Sequence, residues 1–167
     1  MRKYLLFVLI AGTLITASCL KGSNNGSTVT CNYDACLLKA PDSQIVRLEK
    51  YLLDSGITTA QKHCSGMYYT IVTPGTGDSP TSCSDIAINY TGKLTNGTVF
   101  NQTTTPVVFS LLSLITGWKN GVPLIKRGGK IRMYIPPALG YGPNPDSQGI
   151  IPGSSILIFD VELLDFQ

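Results

Sequence analysis

The side chains of this sequence that invite a chemical reading are aromatic rather than ionisable. Trp118 is the only tryptophan and stands in ITGWKNGV, just after an apolar stretch. A lone tryptophan either fills a core or floors an open pocket, and its immediate neighbours leave both open. Tyr141 and the pair Ile150-Ile151 lie in PPALGYGPNPDSQGIIPG (136–153), a loop crowded with proline and glycine. A solvated loop has little use for such residues. Beside a sheet they make a pocket rim, or the loop folds back on its own core. The usual bond-breaking constellations are missing. The one histidine, His63, adjoins Cys64, and adjacent residues on an extended chain point to opposite faces, which makes a poor Cys–His nucleophile. With no CxxC pair and no second histidine, a zinc set is equally poor. No Ser–His–Asp arrangement is present. The chemistry to expect is recognition of an apolar group, with no metal and no cofactor.

Charge excludes one class of partner. The 13 Lys and Arg face 10 Asp and Glu, a formal net of +3. Arg2 and Lys3 belong to a segment that reads as a cleavable leader; without them the net is about +1, no footprint for nucleic acid. Lys126, Arg127, Lys130 and Arg132 form the one basic cluster. Gly128-Gly129 interrupts it, so it reads as the exposed face of a turn and strand.

Elements to position the aromatic residues are legible from periodicity. Seventeen glycines and ten prolines punctuate β-branched and aromatic stretches, the pattern of strands and turns. DIAINY (85–90) puts Ile86, Ile88 and Tyr90 on one face. GKIRMYI (129–135) puts Ile131, Met133 and Ile135 inward and Lys130, Arg132 and Tyr134 outward. SSILIFDVELLDF (154–166) aligns Leu157, Phe159, Val161 and Leu163. Asn96-Gly97 signals a hairpin, and LLSLIT (111–116) predicts a short helix. With no βαβ alternation, the fold class is α+β: an antiparallel, curled sheet wrapped over one short helix. Ahead of it, DSQIVRLEKYLLDS (42–55) carries Ile45, Leu48 and Leu52 at helical spacing, with Gly56 as its stop. That extra N-terminal helix needs a surface to pack on, either its own domain or a second copy in a homodimer.

The first residues look like an export signal. Arg2 and Lys3 precede an apolar run from Leu5 to Ile15, about 11 residues and too short for a spanning helix of about 20. Thr16-Ala17-Ser18 before Cys19 resembles a bacterial lipobox, in which the cysteine is acylated and becomes the mature N-terminus. The polar stretch LKGSNNGSTVT then reads as a flexible tether. Export makes the remaining cysteines, Cys31, Cys36, Cys64 and Cys83, disulfide candidates. Three pairings are open; short loops close most easily, which favours Cys31–Cys36 and Cys64–Cys83. Asn25, Asn89, Asn96 and Asn101 each begin an N-x-S/T triplet, read here as chance in a bacterial chain.

Four segments occur in order with sensible spacing: NYTGKLTNGTVFN, PVVFSLLSLITGWKNGV, LGYG and GIIPGSSILIFDVELLDF. From about Gly66 to Phe166 they resemble the FKBP-type peptidyl-prolyl cis/trans isomerases. With the leader, tether and helix, the chain looks like the lipoprotein members of that family in Gram-negative bacteria. The resemblance implies a division into signal peptide (1–18), tether with Cys31 and Cys36 (19–40), helix and connection (41–65) and isomerase domain (66–167). It implies that Trp118 is the floor of a proline pocket and that Tyr90, Phe100 and Phe159 are its aromatic walls. Ile115, with Leu114 beside it, matches the residue whose backbone N–H binds a ligand carbonyl. Tyr141 matches the rim hydroxyl, and Ile150 and Ile151 the apolar lip. The implied function is isomerisation of Xaa-Pro bonds in unfolded or newly exported proteins, from a lipid anchor at the outer membrane facing the periplasm. The alternative is a binding module or chaperone of the same fold with little turnover. Three departures bear on that choice. Asn101 replaces a usual acidic residue, NQTTT (101–105) has no arginine to pair with it, and Val107 stands where an aromatic is common. Macrolide ligands of the family are expected to bind, weakened.

Overall fold

The computed structural model describes residues 31–145 and 149–167. The leader, Cys19 and the tether as far as Thr30 lie outside the described residues. Among those described, no helix is long and apolar enough to cross a membrane.

Helix α1 (Asp42–Asp54) buries the stripe Ile45, Leu48 and Leu52. It stops at Gly56, whose φ of 67° is open to glycine at little cost. There the Gly56 amide donates to the Leu53 carbonyl and the Ile57 amide to that of Leu52, the paired bonds of a Schellman end. Seven strands follow: β1 (Gln61–Lys62), β2 (Tyr68–Thr73), β3 (Asp85–Leu94), β4 (Val99–Gln102), β5 (Val107–Ser110), β6 (Lys130–Ile135) and β7 (Leu157–Phe166). All pair antiparallel in the order β1-β2-β6-β7-β3-β4, with β5 also on β3. Strands β4 and β5 share one edge of β3, β5 along Asp85–Ile88 and β4 along Thr91–Lys93. Between them the Tyr90 amide donates to the Thr103 hydroxyl and the Thr103 amide to the Tyr90 carbonyl. Register shifts at Ala87/Ile88, Gly92/Lys93 and Ile71/Thr73 bend the strands, the usual effect of an extra residue.

The inner face carries the core, as the alternation predicts. Ile86, Ile88, Ile131, Met133, Ile135, Leu157, Phe159, Val161 and Leu163 are all buried. Across them lies helix α2 (Thr116–Gly121), preceded by a 3-10 turn at Leu111–Ser113 and followed by another at Val122–Leu124. The helix expected over 111–116 therefore begins where that stretch ends. Leu114 and Ile115 are extended, and their side chains serve the cavity instead. Gly117 and Gly121 let α2 approach β6 closely. A β-carbon at Gly117 would stand 2.5 Å from Ile135 Cδ1, and one at Gly121 only 2.2 Å from Met133 Sδ.

The outer face is covered in part by α1. Tyr134 does point outward, but it is buried with Ile156 and Ile158 beneath Leu48 and Leu52 of α1. The N-terminal helix thus docks on its own domain, and the Tyr68 hydroxyl donates to Glu49 at 2.6 Å to tie it there. The disulfides also differ from expectation: they join Cys31 to Cys83 and Cys36 to Cys64, with Cα separations of 5.8 and 5.4 Å. Loop-closure entropy favours short loops in an unfolded chain, but the pairing follows where the folded segment 31–40 runs. It passes beside both the 80–84 loop and the turn ahead of β2, and each of its cysteines meets a partner there.

Candidate functional site

A cavity of about 260 Å³ opens between the sheet, α2 and the turn before it. It is lined by Tyr90, Phe100, Asn101, Phe109, Ser113, Leu114, Ile115, Trp118, Tyr141 and Phe159. Each lining residue follows from local chain direction. Tyr90 and Phe159 project from the inner faces of β3 and β7, Phe100 and Asn101 come from β4, and Phe109 from β5. Leu114 and Ile115 occupy the extended link between the 3-10 turn and α2. Trp118 sits on the first turn of α2 with 4% of its surface exposed. It is at once part of the core and the floor of the cavity.

The rings meet edge to face. Trp118 lies 5.1 Å from Phe159 at 81° and 5.2 Å from Tyr90 at 87°. Phe100 meets Phe159 at 5.4 Å and 87°. Such pairs add about 0.5–1.5 kcal/mol each beyond burial, and they fix the orientation of the floor. Gly92, beneath the walls, makes room for them: a β-carbon there would stand 2.6 Å from Phe100 and 2.8 Å from Phe159.

The electrostatics are those of an uncharged cup. None of the ten lining residues carries a charge at neutral pH. Burial pushes the Tyr90 phenol above its ordinary value, so it stays neutral. The Ile115 carbonyl accepts from the amides of Trp118 and Lys119, while its own amide finds no acceptor among the described residues. One backbone donor is therefore left available at the wall. Among the described residues no group of three or more His, Cys, Asp or Glu could hold a metal.

Of the residues singled out in the sequence, Tyr90, Phe100, Asn101, Leu114, Ile115, Trp118, Tyr141 and Phe159 come together here. Tyr141 is half-exposed, as a rim residue is. Three others stand apart from the lining. Val107 packs half-buried against the main core, Ile151 is buried in that core at 6% exposure, and Ile150 faces solvent at 45%. Phe109 and Ser113 line the cavity and escaped sequence reasoning. The signal for Phe109 was present, since it shares a face of β5 with Val107 at a spacing of two. Its ring, 6.2 Å from that of Tyr90, supplies an aromatic wall where Val107 suggested a shallower one. Neither His63 nor Cys64 lines the cavity, and Cys64 is held in its disulfide.

A larger hollow of about 330 Å³ lies on the outer face, lined in part by Asn89, Lys130, Arg132, Asp160 and Glu162. Its charges are paired with one another, Lys130 with Glu162 and Arg132 with Asp160. The groove is a solvated sheet face rimmed by these ion pairs.

Comparison with known proteins bears on the same region. The family model for FKBP-type peptidyl-prolyl cis-trans isomerases matches residues 77–164. The chain is 44% identical over 110 residues to the FKBP-type isomerase FkpA of Buchnera aphidicola, which covers 64% of this chain and 43% of that protein. It is 39% identical over 122 residues to FkpA of Escherichia coli strain K12, covering 70% of this chain and 43% of that protein. The matches thus span less than half the length of these curated relatives. Among solved structures, a peptidyl-prolyl isomerase of Pseudomonas syringae pv. tomato superposes with a TM-score of 0.67 at 27% identity. That match covers 77% of this chain and 98% of the other. The crystal structure of FkpA from Escherichia coli gives 0.65 at 33% identity, over 75% of this chain and 60% of the other.

Proposed function

This chain belongs to the FKBP-type peptidyl-prolyl cis-trans isomerase family, and we propose that its aromatic cavity isomerises Xaa-Pro bonds in unfolded, exported proteins. The observation that carries the reading is the uncharged cup floored by Trp118, with the Ile115 amide at its wall. Rotation about a peptide bond has a barrier of ~18–20 kcal/mol because twisting destroys amide resonance, and Xaa-Pro bonds take tens to hundreds of seconds. The planar amide is the more polar form and is best stabilised by water. A dry cup that accepts the pyrrolidine ring therefore favours the twisted form. Donors aimed at the rotated carbonyl, the Ile115 amide and the Tyr141 hydroxyl, add stabilisation that the ground state does not enjoy. Every ~1.4 kcal/mol gained in this way is tenfold in rate. No nucleophile, metal or titrating group takes part.

The leader motif supports a setting for this activity. Acylation of Cys19 would tether the domain to a bacterial envelope membrane, the outer membrane facing the periplasm in this proposal. An oxidising compartment suits the two disulfides. The test is refolding of a protein whose slow phase is a proline isomerisation. Catalytic amounts of the full chain accelerate that phase, and a short Xaa-Pro peptide competes. An unchanged slow phase would overturn the proposal. In bacteria, Cys19→Ala moves the protein from the membrane pellet to the soluble fraction; continued pelleting would remove the anchor from the account.

One observation favours a second reading. Asn101 lines the cavity where the family usually has an acidic residue, and no charged group takes its place. A cup without that charge serves equally as a holdase for Pro-containing apolar segments. Saturable peptide binding without acceleration would select this reading. The same lost charge is the reason to expect weakened macrolide binding.

A further inference from the structure

The helix that carries the cavity floor has only six residues and no side-chain cap. A helix of that length is marginal by itself, so whatever holds α2 sets the position of Trp118. On the sheet side it is held by close packing on β6. On the far side it is held by an arm, residues 31–40, that runs ahead of α1. Asn120, two residues beyond Trp118 and so on a different face of the helix, is buried at 2% exposure. Its Oδ1 accepts a hydrogen bond from the Tyr33 hydroxyl at 2.7 Å. Its Nδ2 has no partner among the described residues, so Tyr33 is the one hydrogen-bond partner this buried amide has among them. The Lys119 ammonium lies over the Tyr33 ring at 5.5 Å, and the Lys119 carbonyl accepts from the Ser82 hydroxyl at 2.8 Å. Ser82 adjoins Cys83, whose disulfide partner is Cys31. The contacts close a ring: arm, helix, loop and disulfide, back to the arm.

We propose that this ring is a latch that presses α2 onto the sheet and sets the depth of Trp118, with Tyr33 as the positioning residue that acts through Asn120. The arm is thereby part of the working site, although none of its residues lines the cavity. The activity readout rests on the isomerase reading above; the fluorescence readout does not.

The experiment uses the full chain with both disulfides intact and compares Tyr33→Phe with wild type well below the melting transition. Misplacing a group by about 1 Å costs up to ~10²-fold in rate. Partial loosening of the floor is expected to lower kcat roughly tenfold, with KM changed much less. Because Trp118 is the only tryptophan, quenching of its emission by acrylamide reports the floor directly, and it rises in the variant. Adding Asn120→Leu to Tyr33→Phe removes the stranded amide but leaves the hydrogen bond broken, so both readouts stay shifted if the bond itself holds α2. Their recovery would assign the effect to the stranded amide and overturn the latch. Should Tyr33→Phe fail to fold, Cys31→Ser with Cys83→Ser opens the ring elsewhere and is read in the same way. A variant with lowered Tm but wild-type kcat and wild-type quenching would overturn the latch. If wild type proves inactive, the isomerase reading falls, and unchanged quenching in Tyr33→Phe would still overturn the latch.

Discussion

Replacing Gly92 by alanine places a methyl group where β3 passes beneath two cavity rings. The added carbon would stand 2.6 Å from Phe100 Cε2 and Cζ and 2.8 Å from Phe159 Cε1. Carbon atoms pack at about 3.5–4.0 Å, so the rings must retreat by about 1 Å. Phe159 is buried on central strand β7 and has nowhere to go. Phe100 is half-buried on β4 at the sheet edge, and it yields. Overpacking of this kind costs about 1–3 kcal/mol, part of it through the edge-to-face contact of Phe100 with Phe159, itself worth about 0.5–1.5 kcal/mol. For a domain of this size the fall in Tm is roughly 3–15 °C. Phe100 is also a wall, so its displacement removes contact with a bound proline ring. A loss of about 1.4 kcal/mol in the transition state lowers kcat/KM roughly tenfold. Thermal melting and Xaa-Pro tetrapeptide isomerisation on the same sample separate the two effects. A lowered Tm with unchanged kcat/KM would refute the placement of Phe100 against substrate. An unchanged Tm would refute the close packing itself.

The isomerisation rate should be flat from about pH 5 to 9, since no lining side chain titrates there and burial raises Tyr90 further from neutrality; a sigmoid or bell in kcat/KM would mean that an acid or base participates. Stability should depend on pH where activity does not. Burial pushes the Asp160 carboxyl up, but Arg132 and Lys93 outweigh it and hold the group below its ordinary value. Its contribution is therefore present above about pH 4 and lost as pH falls through the lower folded value. Burial pushes His63 down, so stability also declines as pH falls below about 6.5, where the unfolded imidazole takes a proton first. Denaturant melts across pH should lose the first step in Asp160→Asn and the second in His63→Gln; steps that survive would assign them elsewhere. Peptide mapping without reduction should yield the Cys31–Cys83 and Cys36–Cys64 cross-links. By loop length, sequence separations of 52 and 28 correspond to about 4 and about 3.5 kcal/mol respectively. Removing Cys31–Cys83 should cost more, and the reverse order would count against an unfolded-state origin.

What was legible in the sequence was whatever depends on local direction. Period-two alternation assigned the inner faces of β3, β6 and β7, and helical spacing with Gly56 located α1 to within a residue. The ordered aromatic motifs pointed to Tyr90, Phe100, Trp118 and Phe159, which the fold does bring together. What was not legible depends on where distant segments pass one another. Tyr134 alternates outward as expected, and only the docking of α1 buries it. The disulfides follow the path of the arm, which no loop-length argument contains. Phe109 shares its face of β5 with Val107, and only the folding of β5 along β3 brings its ring to that of Tyr90. Ile150 and Ile151 read alike as a pair, yet the loop turns one to solvent and the other into the core. The stretch LLSLIT looks helical by composition, but its extended end is what leaves the Ile115 amide, beside the cavity, without an acceptor among the described residues.

The central claim is that the Trp118 cavity accepts proline and speeds its rotation. Exchange NMR spectroscopy on an Xaa-Pro peptide, with the full chain at catalytic concentration, measures that rotation without a coupling enzyme. The account predicts cis–trans exchange cross-peaks on a timescale at which the free peptide shows none, and their loss in Trp118→Leu. Exchange no faster than in the free peptide would contradict it, as would equal acceleration by Trp118→Leu.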